Sequence, residues 1–267
     1  MNKKLLDLFY KSKNFKKIYT YIWYELISII DKKGLMRFMN YGYHNDSTVL
    51  NLKEEDENDR YNIQSYDRLV KDIDLTNKTM LEVSCGRGGG IYYYSSYFNL
   101  KNIIGLDITK QAISFCKSKY HFKNASFVLG DAQQLPFEDE IFDIIVNLEA
   151  SGNYPDLISF FNEVSRTLKP GGYFAYADLR KSEEIPKWND QIKRLSLKLV
   201  EKEDITEAVS VSLALSSKNK ERLINENIPK IFRSQFYEFA GTKGSNYVYN
   251  ALKKREKVYI RYLFKKP

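Results

Sequence analysis

The decapeptide LEVSCGRGGG, residues 81–90, constrains this chain more than any other segment. Leu81, Glu82 and Val83 read as the end of a strand. Gly86, Gly88, Gly89 and Gly90 follow at once, with a helix expected to begin near Gly90. A glycine inside a regular element costs about 0.5–1 kcal/mol relative to alanine, so such a cluster persists where the backbone must turn sharply or approach a ligand closely. NAD-type Rossmann proteins set a similar strand–glycine–helix turn against a pyrophosphate. The spacing here departs from theirs: with Gly86 and Gly88 as the first two glycines of GxGxxG, the third position falls on Ile91. A nucleoside ligand without a pyrophosphate does not need that third approach.

The rest of the chain supplies a sheet for this turn. Residues 79–83, 102–106, 126–129, 142–147 and 173–177 are short, mostly apolar, strand-length runs, and residues 110–120 and 155–168 are helix-length. This alternation predicts an α/β fold, a parallel sheet with helices on both faces. Residues 61–180 form the predicted core. Residues 1–60 read as an N-terminal helical extension and linker. Within it Phe15, Ile18, Tyr19, Ile22, Trp23, Leu26, Ile27 and Ile30 fall on one helical face, and Gly34 provides a stop. Residues 181–230 read as a charged helical cap. Residues 231–267 read as two final strands, near 231–239 and 258–264.

Two acids follow the glycine turn in order. Asp107 ends the second strand 19 residues after Gly88, with Ile108 beside it, and can accept both hydroxyls of a ribose. A helix cap is the plainer role for it. Asp131, after the third strand, can accept from an adenine amino group while the Ala132 N–H donates to the ring. Glu82 and the backbone of residues 86–90 would hold an amino-acid end. Asn147 and Leu148, where the fourth strand leaves the sheet, would face the reacting group. Together these features point to S-adenosylmethionine (SAM) as the cofactor.

LEVSCGRGGG, GLDIT, GDAQQLPF, NLEAS and YFAYADLR together resemble the class I SAM-dependent methyltransferases. More narrowly, they resemble the phthiotriol/phenolphthiotriol dimycocerosates methyltransferase family. Ser84, where most class I enzymes have glycine, belongs to that narrower likeness, as do FMNYGYHND upstream and FAGTKGSNYVYNAL downstream. The resemblance implies a Rossmann-like, mostly parallel seven-stranded sheet with an N-terminal helical extension and a helical cap insertion. It also implies methyl transfer to a hydroxyl of a small apolar, lipid- or polyketide-like acceptor. One position departs from the family: Gly152 stands where the family carries a histidine. A positioned general base contributes on the order of 10²–10⁴-fold, so its loss matters for an unactivated alcohol and less for an activated acceptor. His44, Glu149 and Asp178 are the candidates for a base.

Charge distribution narrows the partners. Residues 1–40 carry nine Lys/Arg against three acids and residues 251–267 seven against one, so a chain of net charge +8 has basic ends and a slightly acidic body. A nucleic-acid enzyme more often places basic surface around its cleft, and NLEAS lacks the (Asp/Asn)-Pro-Pro-aromatic run common in base-modifying methyltransferases. No nucleic-acid partner is therefore expected. Basic ends, and the Lys-flanked stripe over residues 11–30, suit a peripheral membrane contact or packing in a homo-oligomer. The two cysteines, Cys85 and Cys116, form no disulfide framework and fit a cytoplasmic protein. No metal site is expected. C- or N-methylation of a quinone, sterol or alkaloid-like molecule stays open. So does a non-catalytic SAM-binding protein, whereas the glycine spacing disfavours an NAD oxidoreductase.

Overall fold

The computed structural model describes residues 36–47 and 49–267. The helix expected over residues 11–30 and its stop at Gly34 lie outside the described residues. The strands are β1 (Thr79–Val83), β2 (Asn102–Asp107), β3 (Ala125–Leu129), β4 (Phe142–Leu148), β5 (Leu168–Lys181), β6 (Lys198–Asp204) and β7 (Lys257–Lys265). They form one seven-stranded sheet in the order β3-β2-β1-β4-β5-β7-β6. The first five run parallel, and β7 lies antiparallel between β5 and β6. This is the mostly parallel, Rossmann-like seven-stranded sheet that the resemblance implies.

Alternation along each strand decides what covers each face. Met80, Ile144, Val146 and Ala175 pack with α1 (Arg60–Val70), α2 (Gly89–Tyr97) and α3 (Lys110–Lys119). Leu81, Val83, Ile145 and Phe174 point the other way, onto α4 (Leu157–Thr167) and α5 (Ile185–Ile192). Local chemistry starts the elements where they start. Asp156 caps α4 by accepting from the N–H groups of Ile158 and Ser159 at 3.1 and 3.3 Å. Gly88, at φ +75°, supplies the left-handed residue from which α2 departs.

The last third of the chain differs from its sequence reading in two places. Strand β6 lies inside the stretch expected to be a helical cap. Its sequence, KLVEKED, shows no apolar alternation because an edge strand leaves most of its side chains in water. Residues 231–239, expected as a strand, instead form most of α7 (Arg233–Ala240). Their aromatic content resembles a strand, but Phe232, Phe236 and Phe239/Ala240 recur at helical spacing. Phe236 is buried against Ile224 and Ile228, at the end of the 22-residue helix α6 (Thr206–Asn227) and just beyond it. No helix among the described residues is long and apolar enough to cross a membrane.

Phe160 of α4 is fully buried and meets Tyr154 and Phe174 edge-on, with ring centroids 4.9 and 5.9 Å apart. Phe160→Ala is expected to lower stability by about 3–5 kcal/mol in urea denaturation. A loss under about 1 kcal/mol would contradict this packing.

Candidate active site

Strand order reverses between β1 and β4, which opens a crevice beyond the carboxyl ends of the strands. A cavity of about 340 Å³ occupies it, walled by the glycine turn, the ends of β2, β3 and β4, and residues 37–40. Ser84 turns the chain out of β1 at φ +60°, a left-handed conformation that explains why glycine is common there. Its hydroxyl lies 2.6 Å from that of Tyr154.

Seven of the residues expected to bind the cofactor reach this wall: Ser84, Gly86, Asp107, Ile108, Asp131, Ala132 and Leu148. The buried carboxylate of Asp107 accepts from the Gly86 N–H at 2.9 Å and the Thr109 N–H at 2.8 Å. Burial raises its pKa, and these donors oppose the rise. Asp131 accepts from the backbone and side-chain nitrogens of Gln133, each at 3.0 Å. Ile108 leaves an unusually exposed apolar side chain at the rim.

Three expected binders lie off the wall. Gly88 serves packing instead, because a Cβ there would stand 2.7 Å from the Tyr120 ring. Glu82 shares a strand face with Met80, so its carboxylate points beneath α2 rather than into the crevice. A Cβ on Gly90 would lie 2.5 Å from one of its oxygens. Tyr66 and the Ile91 N–H bond to it, while burial pushes its pKa up to about 8. Asn147 is buried and donates to the Val83 carbonyl and to the Tyr154 hydroxyl, both at 2.9 Å, so it braces a wall residue without joining the wall.

The three candidate bases separate clearly. His44 lies outside the cavity wall, edge-on to Tyr61 and 3.0 Å from the Asp46 carboxylate. The segment that carries it does cross the cavity, but through Arg37, Met39 and Asn40. The Asn40 side chain then accepts from the Gly42 N–H at 2.9 Å and turns the chain away. Asp178 is buried off the wall. It pairs with Arg180 at 2.9 Å and accepts from the Ser151 hydroxyl at 2.6 Å and the Gly152 N–H at 2.8 Å. A Cβ on Gly152 would meet the Arg180 guanidinium at 2.9 Å, so the space beside Gly152 belongs to Arg180, which also packs over Trp188.

Glu149 alone of the three reaches the cavity. Its carboxylate accepts from the Tyr41 N–H through both oxygens, at 2.8 and 3.0 Å, and from the Tyr259 hydroxyl at 2.8 Å. Burial pushes its pKa up to about 8, with Asp178 raising it and the two donors and Lys220 opposing. Sequence reasoning missed Arg37, Met39, Tyr66 and Tyr154 on the wall. Only Tyr154, three residues beyond NLEAS, carried a local signal; the others arrive through tertiary packing.

A methyltransferase-domain family profile matches residues 81–176. The chain is 36% identical over 236 residues to a probable phthiotriol/phenolphthiotriol dimycocerosates methyltransferase of Mycobacterium ulcerans, covering 86% of this chain and 90% of that one. It is 34% identical over 231 residues to a fatty-acid O-methyltransferase of Mycolicibacterium smegmatis, covering 86% and 83%. The chain belongs to the phthiotriol/phenolphthiotriol dimycocerosates methyltransferase family. The fold agrees. A putative sarcosine dimethylglycine methyltransferase from Galdieria sulphuraria superposes with a TM-score of 0.69 at 17% identity, covering 91% of this chain and 98% of that one. The geranyl diphosphate C-methyltransferase of Streptomyces coelicolor, solved with S-adenosyl-L-homocysteine, gives 0.66 at 13%, covering 94% and 98%.

This methyltransferase is therefore SAM-dependent, and its cavity suits that donor. A carboxylate ends β2, an Asp–Ala pair follows β3, and an exposed isoleucine stands between them. Asp107→Ala is expected to weaken SAM binding by about 2 kcal/mol, the scale of a lost hydrogen bond to a charged group, when titrated calorimetrically. Unchanged affinity would remove Asp107 from the site. A second expectation concerns Glu82. A folded-state pKa of about 8, above the ordinary value of 4.5, favours the protonated fold, so stability is lost as pH rises from about 4.5 to 8. Glu82→Gln should show a shallower fall in melting temperature between pH 5 and 8 than the wild type, and an unchanged slope would contradict the burial of that carboxyl.

Proposed function

We propose that this enzyme methylates an oxygen of an apolar, lipid-like acceptor. The observation that carries this reading is a second chamber of about 110 Å³ that shares Met39 and Asn40 with the donor cavity. Ile224 and Leu223 of α6, Ile228 just beyond it, and Phe236 and Phe239 of α7 give it an apolar wall. The relatives named above act, by their names, on phthiotriol/phenolphthiotriol dimycocerosates and on fatty acids, which supports an apolar acceptor.

Bound SAM supplies a methyl group on a positively charged sulfur, already activated for displacement. What remains for the protein is to align the two reactants and exclude water. Asp107 would accept the ribose hydroxyls. Asp131 and the Ala132 N–H would take the adenine edge, and the Gly86 backbone would lie against the amino-acid end. Leu148 and Glu149 would line the point where acceptor and methyl meet. For a hydroxyl acceptor, Glu149 is the candidate base. The reading extends to a cytoplasmic enzyme whose basic N-terminal segment contacts the membrane that holds its acceptor.

The test uses methyl-labelled SAM with defined long-chain alcohols, acids and amines, followed by mass analysis of the apolar extract. The expected product carries the label as an O-methyl group. Label on carbon or nitrogen would overturn the reading, and tight SAM binding without turnover on any acceptor would favour a non-catalytic SAM-binding protein.

A further inference from the structure

The second chamber carries a charge that an apolar alcohol does not need. Of the described residues lining it, Asp59 and Lys220 carry a formal charge in their ordinary states, and Tyr41 adds a phenol. Asp59 is paired with Arg37 at 2.7 Å. Lys220 projects from α6 with its ammonium 3.1 Å from the Ala240 carbonyl, at the end of α7, among apolar side chains. An ammonium has three protons to donate. The chamber stands directly behind Glu149, because Tyr41, on the chamber wall, gives its N–H to Glu149 on the donor-cavity wall. Lys220 and Glu149 also act on each other electrostatically. An acceptor that fills the chamber therefore lies against a wall that carries Lys220.

The geometry points to a carboxylate as the acceptor group: Lys220 holds the acid end of an aliphatic chain, and one of its oxygens takes the methyl. This rests on the oxygen-methylation reading and names the oxygen. A carboxylate is ionised at neutral pH and needs no general base. The carboxylate oxygen donates a lone pair to form the new O–CH₃ bond. The C–S bond breaks, and its electron pair stays on sulfur. The products are a methyl ester and the neutral thioether S-adenosylhomocysteine. No proton moves and no further reactant is consumed.

The charges around the acceptor respond to pH in a definite direction. Burial pushes Lys220 down to about 8, with Glu149 opposing, and pushes Glu149 up to about 8. The groups that face Glu149 are the Tyr41 N–H, Tyr259, Tyr66, Asp178 and Lys220; the Asp59–Arg37 pair lines the chamber on the other side. Below pH 8 the acceptor meets an ammonium and a neutral carboxyl. Above pH 8 it meets a neutral amine and a carboxylate. Affinity for an anionic acceptor should therefore fall as pH rises through about 8, whereas base-assisted methylation of an alcohol should rise.

The experiment compares octanoate and hexadecanoate with the matching 1-alcohols, using labelled SAM, and measures binding of the acids to the protein loaded with S-adenosylhomocysteine. Wild type, Lys220→Met and Lys220→Arg are run side by side. The expected result is an ester from the acids and little ether from the alcohols. KM and Kd for the acids should rise roughly tenfold or more in Lys220→Met, the scale of a lost charge-assisted hydrogen bond, with most of the affinity restored in Lys220→Arg. The wild-type KM for the acids should also climb between pH 7 and 9. S-adenosylhomocysteine affinity reports folding, so a variant that loses it is set aside and the wild-type pH profile decides. Preference for the alcohols, acid binding unaffected in a folded Lys220→Met protein, or acid KM falling with pH would each overturn the proposal. Failure of the acids to bind the loaded wild type would overturn it too. Failure of wild type to bind S-adenosylhomocysteine would instead refute the donor site beneath it.

Discussion

The Asp107 carboxylate is the interaction on which the site depends. By accepting from the Gly86 N–H and the Thr109 N–H, it ties the turn after β1 to the turn after β2. Both turns stand at the edge where the sheet reverses its order, so their relative position sets the shape of the cavity. Hydrogen bonds to a charged acceptor are stronger than those between neutral groups, and burial leaves this carboxylate little alternative to them. Asp107 does not cap α3, whose N-cap is Thr109 without a side-chain cap; its carboxylate instead braces the loops from within the wall that a ribose would touch.

Around this brace the protein buries several acids and hydroxyls. Glu82 lies under α2 with Tyr66, Glu149 lies between Tyr41 and Tyr259, and Asp178 is held by Arg180, Ser151 and Gly152. Each satisfies a different need. Glu82 fills the space left by Gly90, where a side chain would collide with it. Asp178 neutralises Arg180 and fixes the exit of β5. Glu149 is the one that faces the cavity, and its backbone, at φ +56°, is strained to put it there. The high tyrosine content follows from the same design, since a buried carboxyl in an apolar core needs a donor that is itself largely apolar.

Much of this was legible in the sequence, and the failures have physical causes. The glycine turn, Asp107, Asp131 and Leu148 could be placed because each sits at the end of a strand, where sequence order fixes position at the sheet edge. Glu82 was misplaced because a motif position carries no direction, whereas the two-residue period of a strand sends it to the same side as Met80, away from the crevice. Gly88 lies off the wall, where close packing against Tyr120 by itself demands glycine. His44 was misplaced because the turn made by Asn40 depends on Asn62, 22 residues away. Strand β6 and helix α7 were confused because an edge strand lacks apolar alternation and an aromatic-rich amphipathic helix imitates it. Met39 and Tyr66 reach the site only through tertiary packing, for which local sequence holds no signal.

The central claim is that one cavity, braced by Asp107, presents the donor's sulfur to Glu149 and to the chamber that holds Lys220. A crystal structure of the complex with S-adenosylhomocysteine tests it most directly. The ribose hydroxyls are expected on the Asp107 carboxylate, the adenine edge on Asp131 and Ala132, and the sulfur facing Glu149 with an open path past Met39 and Asn40. A nucleoside bound away from Asp107, or a sulfur turned away from that path, would contradict the claim.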